Sequence, residues 1–148
     1  MNAIHRARAE DLPAITALLA GAALPTTDIG ASRIDFWVDE AADGIIAAIG
    51  LERHGDAGLL RSLVVAPAHR GSGRAQRLVE VVEAAARSHG LRELVLLTQT
   101  AEAFFAKAGY AVIPRGEAPP ALQECAEFRA LCPASATCMH KPLDGATA

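Results

Sequence analysis

The segment from Leu63 to Ala75 constrains the fold of this 148-residue chain more than any other. It begins as an apolar stretch that ends before Pro67, and it continues through Gly71-Ser72-Gly73 into a run with apolar residues at helical spacing. Leu91 to Thr98 then forms a second apolar stretch. A strand, a helix and a strand in this order place the two strands parallel, because the helix serves as the crossover. We therefore expect an α/β domain.

Short strands joined by turns precede this segment, and helical and strand patterns follow it. Turns at Asp43-Gly44 and at Gly55 to Gly58 predict that the strands before the segment are antiparallel. The predicted strands are Ile4 to Arg8, Phe36 to Val38, Ile45 to Leu51, Leu59 to Val65, Leu91 to Thr98, Tyr110 to Pro114 and Ala136 to His140. The predicted helices are one capped by Asp11 with Pro13 in its first turn, one from the glycine turn to Gly90, Ala101 to Ala108, and Pro119 to Leu131.

The glycine-rich turn has the features of an anion-binding site. Gly71 and Gly73 let the backbone approach a ligand closely, because no Cβ stands in the way. The N–H groups at the start of the helix point towards such a ligand, and the helix dipole adds partial positive charge. Arg70 and Arg74 flank the turn and supply charge that suits phosphate. We interpret the turn as a diphosphate cradle; the alternative is an ordinary tight strand–helix connection.

The turn lacks residues that two common nucleotide-binding loops require. A Walker A loop needs Gly-Lys followed by Ser or Thr, which is absent here. A dinucleotide fingerprint needs a third glycine near Gln76 and an acid at the end of the next strand, yet that strand ends in Leu96-Leu97-Thr98. What remains is Arg-x-x-Gly-x-Ala, preceded by Val-x-Pro and by several antiparallel strands.

This combination resembles the acetyl-CoA loop of the GNAT superfamily of N-acetyltransferases. The resemblance implies one GNAT-type domain over residues 1–142, with a mixed central sheet that is splayed at the acetyl-CoA strand and flanked by helices. We expect the remaining residues, 143–148, to form a loose tail. It implies acetyl-CoA as co-substrate, no metal, and a loop that holds the diphosphate. The loop residues are Arg70, Gly71, Ser72, Gly73, Arg74 and Ala75.

The same resemblance implies a bulge in the strand before the loop, at Leu63 to Val65. Pantetheine would lie against this strand and pair with the backbone groups of Leu63 and Val65, and Val64 lies between them. A backbone N–H at the bulge would polarise the acetyl carbonyl, as in an oxyanion hole.

The segment from Ala101 to Tyr110 resembles the second GNAT motif, with two departures. Phe105 stands where the family usually has a tyrosine, and Thr98 stands where it usually has an asparagine. The resemblance places Thr98, Phe104 and Phe105 beside the cofactor. The family's tyrosine commonly protonates the departing thiolate, and general acid catalysis contributes about 10²- to 10⁴-fold. Its loss weakens one role without excluding catalysis, and core packing is the alternative role for Phe105.

The chain also resembles a narrower group, the GNAT proteins encoded with arsenic-resistance genes. Related enzymes acetylate the amino group of compounds such as arsinothricin and phosphinothricin, which implies a small, amino-acid-like acceptor. The resemblance rests on Leu24-Pro25-Thr26, Gly50-Leu51-Glu52, Leu60-Arg61-Ser62-Leu63, Leu97 to Glu102 with Phe104-Phe105, and Glu127-Phe128 with Leu131 to Ser135.

Catalysis requires a base or a water chain, because an amine must be neutral to attack a thioester. Glu52, near the end of a central strand, is the first candidate, and an exposed strand-end acid is its alternative; His69 is a weaker candidate. Ser62 would donate a hydrogen bond, and Arg61 would hold an anionic group of the acceptor. Neighbours on a strand face opposite sides, so we expect at most one of these two in the site. Thr26 would line the acceptor entrance, with a plain surface loop as the alternative.

Composition excludes several other classes of function. A net charge of −3 and the lack of a basic run with aromatics argue against nucleic-acid partners. We find no signal peptide and no apolar stretch of membrane-spanning length, so we expect a soluble, cytoplasmic enzyme. A symmetric homodimer is the common arrangement for such folds.

The three cysteines, Cys125, Cys132 and Cys138, raise the question of arsenic binding. Thiolates suit soft metals and metalloids, yet no Cys-x-x-Cys pair exists, so we expect these side chains to pack as small apolar groups. Two rival functions stay open beside the small-molecule enzyme. One is a non-catalytic acetyl-CoA-binding or metalloid-sensing module, and the other is an acetyltransferase with a protein amine as acceptor.

Overall fold

The computed structural model describes residues 3–22, 24, 34–42, 44–123, 128 and 135–143. The strands are β1 (Ala3–Arg6), β2 (Ile34–Ala41), β3 (Gly44–His54), β4 (Ala57–Val65), β5 (Glu93–Thr98), β6 (Ala111–Val112) and β7 (Thr137–Pro142). The α-helices are α1 (Leu12–Gly21), α2 (Arg74–Ser88), α3 (Glu102–Lys107) and α4 (Pro120–Gln123). Short 3-10 turns lie at Ala9–Asp11, Pro67–His69 and Arg115–Glu117.

Within the described ranges, seven strands form one mixed sheet in the order β1-β2-β3-β4-β5-β7-β6. The pairs β1–β2, β2–β3, β5–β7 and β6–β7 are antiparallel, and β4–β5 is parallel. The parallel pair follows from α2, which serves as the crossover between its strands. Its ladder covers three residue pairs, from Ala57–Glu93 to Leu59–Val95, while β5 stays paired with β7 as far as Thr98. The predicted α/β class with a mixed sheet flanked by helices is confirmed.

The chain packs as two units, of which the first comprises Met1–Glu52 and Arg61–Val82. Its core forms where α1 packs on the sheet: Ile15 and Leu19 are fully buried against Phe36 and Val38 of β2. Val64 of β4 belongs to the same cluster. Burial of these side chains removes apolar surface from water, which stabilises the unit.

The second unit comprises Arg53–Leu60 and Glu83–Ala148 and has a core of its own. Glu83 is buried there, and two partners compensate its charge: the Tyr110 hydroxyl donates to Oε2 at 2.9 Å and Lys141 Nζ lies 3.1 Å from the same oxygen. The apolar cluster contains Ala57, Leu59, Val95, Ala118, Leu122, Phe128 and Cys138.

Several predicted elements end at different residues in the structure. Strand β1 stops at Arg6 rather than Arg8, because the Arg8 N–H donates to Asp11 Oδ2 at 2.9 Å and starts a 3-10 turn. Asp11 therefore closes that turn and makes no side-chain capping bond to α1. The strand predicted at Leu91 begins at Glu93, because the Leu91 N–H still bonds to the carbonyl of Ala86 at the end of α2.

Four further elements differ in extent from the prediction. The middle strands are longer, Ile34–Ala41 and Gly44–His54, because their ladder runs from the Ile34–Glu52 pair to the Ala41–Gly44 pair, past the apolar letters that define them in sequence. The strand predicted over Tyr110 to Pro114 shortens to Ala111–Val112, and Pro114 has no N–H to donate to a ladder. Of the helix predicted over Pro119 to Leu131, the structure describes Pro120–Gln123 as helical, and most of the rest lies outside the described residues.

Candidate active site

The glycine-rich turn between β4 and α2 adopts the geometry of an anion cradle. Gly71 and Gly73 both have φ of +80°, in the left-handed region that favours glycine, and apart from their chain neighbours no atom of the described residues lies within 4 Å of the place where a Cβ would stand. The Gly73 carbonyl accepts the first helical bond, from the Arg77 N–H at 3.1 Å. The N–H groups of the first turn of α2 have no acceptor within the helix, so they are suited to bind an anion.

The two arginines of the turn have different surroundings. Arg70 is exposed, and its Nε donates to the Val65 carbonyl at 2.9 Å, which keeps the side chain folded along the turn. The Ser72 hydroxyl donates to the His69 carbonyl at 2.9 Å and closes the turn. Arg74 is half-buried, and one guanidinium nitrogen donates to Asp39 Oδ2 at 3.2 Å. Arg70 therefore brings positive charge to the surface of the turn, whereas Arg74 points to a carboxylate on β2.

The last three residues of β4, which lead into the turn, alternate in burial. The Val64 side chain is buried in the core of the first unit, so this residue faces a ligand through its backbone at most. Leu63 and Val65 are half-exposed, as expected for the opposite face of the strand. This arrangement is compatible with the predicted contact between a ligand and the backbone of Leu63 and Val65.

Ser62 distorts β4 just before these residues. Its φ is +61°, and among the described residues it is the one non-glycine residue with a positive φ. Such a residue within a strand marks a bulge or kink. Arg61 Nε donates to Ser62 Oγ at 3.3 Å, so the two neighbouring side chains contact each other. The expectation that at most one of these two side chains points into the site stays a prediction.

Glu52 of β3 and Arg61 of β4 form a buried ion pair beside this kink. Glu52 Oε1 lies 3.7 Å from an Arg61 guanidinium nitrogen, and the two side chains are 9% and 0% exposed. Burial strengthens the attraction, because the effective dielectric constant is lower than in water. Arg61 thus connects the carboxylate to the Ser62 hydroxyl, and its complete burial favours support of these groups over direct contact with a ligand.

The predicted residues of the second unit are engaged in local packing. Thr98 Oγ1 accepts a hydrogen bond from the Ala101 N–H at 3.0 Å and so orders the start of α3. Phe105 is buried and makes edge-on ring contacts with Phe104 at 5.0 Å and with Tyr110 at 5.5 Å. These contacts support the packing alternative for Phe105. Thr26 lies outside the described residues.

Tyr110 does not replace the missing family tyrosine. It is the one tyrosine of the chain, it is buried, and its hydroxyl donates to the Glu83 carboxylate. Burial, and then the negative charge of Glu83, raise the pKa of Tyr110 well above its ordinary value, so the hydroxyl stays protonated and bound. The phenol is therefore a structural donor to Glu83.

The described part of the chain contains no cluster of three His, Cys, Asp or Glu side chains that could hold a metal ion. Cys125 and Cys132 lie outside it. Cys138 is 3% exposed within the apolar cluster of the second unit, and burial raises the pKa of its thiol. Because thiolate is the form that binds soft metals, this environment favours packing over metalloid binding at Cys138.

We expect iodoacetamide to modify Cys138 at least about 10-fold more slowly in the folded protein than in urea at pH 8, because a buried neutral thiol is a poor nucleophile. The raised pKa sets the sign of the pH dependence: the rate for folded protein should still increase above about pH 8.5, the ordinary thiol value. Peptide mapping by mass spectrometry separates Cys138 from the other two cysteines. Equal rates in folded and unfolded protein would contradict a buried thiol.

Comparison with known proteins agrees with this geometry. Residues 32–112 match the family model described as acetyltransferase (GNAT) domain, which is more than half of the 148 residues. The chain therefore belongs to the GNAT acetyltransferase family, in agreement with the resemblance of its glycine-rich turn. No curated protein sequence matches the chain. None of the described helices is long and apolar enough to cross a membrane.

Solved structures share the fold. N-acetylglutamate synthase from Neisseria gonorrhoeae, complexed with coenzyme A and N-acetyl-glutamate, has a TM-score of 0.79 at 20% identity, over 97% of this chain and 35% of that one. Rv2747 from Mycobacterium tuberculosis, in complex with CoA, has a TM-score of 0.79 at 25% identity, over 95% of this chain and 98% of that one. The ribosomal-protein-S18-alanine N-acetyltransferase from Escherichia coli has a TM-score of 0.74 at 18% identity, over 97% of this chain and 94% of that one.

The chain spans about a third of the length of the N-acetylglutamate synthase structures that it matches. Coenzyme A is present in the synthase and Rv2747 structures, in agreement with the predicted acetyl-CoA co-substrate. The turn fits that group: its left-handed glycines leave open space where a Cβ would stand, at the start of a 15-residue helix.

Proposed function

We propose that this chain transfers acetyl from acetyl-CoA to the amine of a small molecule. The observation that carries the proposal is the pair of left-handed glycines, Gly71 and Gly73, at the start of α2 in a chain of the GNAT family. Bound acetyl-CoA would supply the acetyl group as a thioester.

The residues of the first unit have distinct roles in this proposal. The N–H groups at the start of α2 bind the diphosphate, and exposed Arg70 adds positive charge. The backbone of Leu63 and Val65 orients the pantetheine arm. The kink at Ser62 turns a backbone N–H of β4 towards the acetyl carbonyl, where it stabilises developing negative charge.

Glu52 acts as the base in this proposal. It accepts a proton from the acceptor amine, directly or through a water, so that the nitrogen can form its bond to the acetyl carbon as the carbon–sulfur bond breaks. Arg61 holds the Glu52 carboxylate at 3.7 Å and donates to Ser62, which makes it a positioning residue. Because Phe105 has no hydroxyl and Tyr110 is bound to Glu83, solvent protonates the leaving thiolate, whose ordinary pKa near 8.5 makes this tolerable.

For the acceptor, we propose an amino-acid-like amine of the arsinothricin or phosphinothricin type. Support comes from the segments that resemble GNAT proteins of arsenic-resistance gene clusters, and the structurally similar N-acetylglutamate synthase was determined with N-acetyl-glutamate. A protein amine is the second candidate, favoured by the similarity to the ribosomal-protein alanine N-acetyltransferase at a TM-score of 0.74.

The test is thiol release from acetyl-CoA with a panel of free amino acids, arsinothricin and phosphinothricin. We expect saturable release with at least one free amine and none with its N-acetylated counterpart, which serves as the matched control. Mass spectrometry of the product should show one added acetyl group on nitrogen. If no compound of the panel caused thiol release although CoA bound measurably, the small-molecule proposal would be contradicted. Acetylation of a peptide amine would then establish the second candidate.

A further inference from the structure

Asp39 is a charged residue in the middle of a buried strand, and the proposed mechanism leaves it without a role. It lies on β2 between Ile4 of β1 and Ala47 of β3, and it is 0% exposed. Within the described residues its Oδ1 accepts no hydrogen bond, while Oδ2 accepts one from Arg74 at 3.2 Å. Burying a carboxylate is costly unless its charge is compensated, so the Arg74 guanidinium is essential to this placement.

Arg74 is the first residue of α2 and directly follows Gly73 of the anion-binding turn. Its side chain is 17% exposed and reaches from the start of the helix to β2. The β2–β3 register shifts between Asp39 and Glu40, and such an irregularity re-aims the side chain beside it. The pair therefore links the start of α2 to β2, which lies between β1 and β3 in the sheet.

We propose that Asp39 is a positioning residue for the acetyl-CoA loop: it holds Arg74, and thereby fixes the N–H groups at the start of α2 in the geometry that binds the diphosphate. The inference rests on the proposed function. Donors that are fixed before the ligand arrives lose less freedom on binding, so the pair contributes to affinity without touching the ligand.

The sequence alone suggests a different role for Arg74, namely direct neutralisation of phosphate. If that were its role, Asp39 would compete with phosphate for the same guanidinium. Removing the Asp39 charge would then strengthen CoA binding, whereas in our proposal it weakens binding. The two roles thus predict opposite signs for one substitution.

The first experiment is calorimetric binding of CoA to Asp39→Asn, which keeps the shape of the side chain and removes its charge. We expect the Kd to rise about 10-fold, and Arg74→Gln to raise it by a similar factor. The Kd of the double variant should be no higher than that of the single variant with the higher Kd, because both substitutions break the same interaction. Glu40→Gln is the matched control on the same strand, since it removes a half-exposed carboxylate paired with His5, and its Kd should stay within about twofold.

The second experiment compares two acetyl donors. We expect Asp39→Asn to raise the KM for acetyl-CoA about 10-fold with kcat little changed, while kcat/KM for S-acetylpantetheine, which has no diphosphate, stays as in wild type. An equal loss with both donors would mean general structural damage and would overturn the proposal, as would tighter CoA binding. If the wild type acetylates nothing, CoA binding alone still tests Asp39, so the two proposals fail separately.

A third measurement covers the case in which Asp39→Asn does not fold. Salt screens a direct contact between Arg74 and phosphate, so loss of that contact would make CoA binding less sensitive to ionic strength. In our proposal Arg74→Gln weakens binding by the same factor at low and at high salt. If Arg74→Gln weakened CoA binding at low salt but not at high salt, Arg74 would be assigned to the phosphate, and the role of Asp39 would be overturned.

Discussion

Replacement of Glu52 by glutamine is expected to lower kcat about 100-fold or more, and to leave the KM for acetyl-CoA within about twofold. Glutamine keeps the size of the side chain but does not accept the amine proton. The contacts of the CoA loop lie elsewhere, at the turn that contains Gly71 and Gly73, so donor binding should persist. Steady-state kinetics with both substrates varied measures the two effects separately.

Stability must be measured beside activity, because Glu52 is also the partner of a buried guanidinium. Loss of its charge should lower the free energy of unfolding by about 3 kcal/mol, the usual cost of breaking a buried ion pair. Urea unfolding gives this value and shows whether the variant is folded in the assay. Glu10→Gln is the control, since Glu10 is an exposed acid beside Arg8 and should change neither quantity. Full activity in folded Glu52→Gln would assign the ion pair to structure alone and make His69 the next candidate base.

The fold could be predicted because its signals are local. The apolar stretch, the glycine turn and the helix spacing between Leu63 and Gly90 specify a strand, a helix and a parallel crossover without knowledge of distant residues. The glycine turn was predictable for the same reason: left-handed backbone at Gly71 and Gly73 needs glycine, and both letters are visible in the sequence.

The contacts of the candidate site are not local, and the sequence does not reveal them. Arg74 and Asp39 are 35 residues apart, so the sequence predicts a phosphate contact for Arg74 and does not reveal its hydrogen bond to Asp39. The one visible signal for Asp39 is an acid directly after Phe36-Trp37-Val38, at a position where a buried strand should continue. The family resemblance implies a bulge at Leu63 to Val65, but nothing in the letters places the kink at Ser62, because serine rarely adopts a left-handed conformation.

Substitution of Gly73 by alanine is expected to weaken CoA binding about 100-fold, or about 2.7 kcal/mol. At φ of +80° an alanine is strained by about 1–2 kcal/mol, and the backbone relaxes by turning the N–H groups at the start of α2 away from the diphosphate. A hydrogen bond to a charged group contributes about 1.5–3 kcal/mol, so losing one or two bonds to the diphosphate accounts for the expected decrease in CoA binding free energy. Calorimetric titration with CoA measures it.

Gly90→Ala separates this effect from strain as such. Gly90 follows the other end of α2 with φ of +79°, and in the described part of the chain no atom beyond its neighbours lies within 4 Å of its would-be Cβ, so alanine there meets the same backbone penalty. Both variants should lose about 1–2 kcal/mol of stability in urea unfolding, and we expect CoA affinity to fall with Gly73→Ala alone. Equal affinities for the two variants would show that the left-handed glycines serve the chain reversal and not the ligand. The diphosphate cradle would then lose its main support, while the GNAT fold would stand.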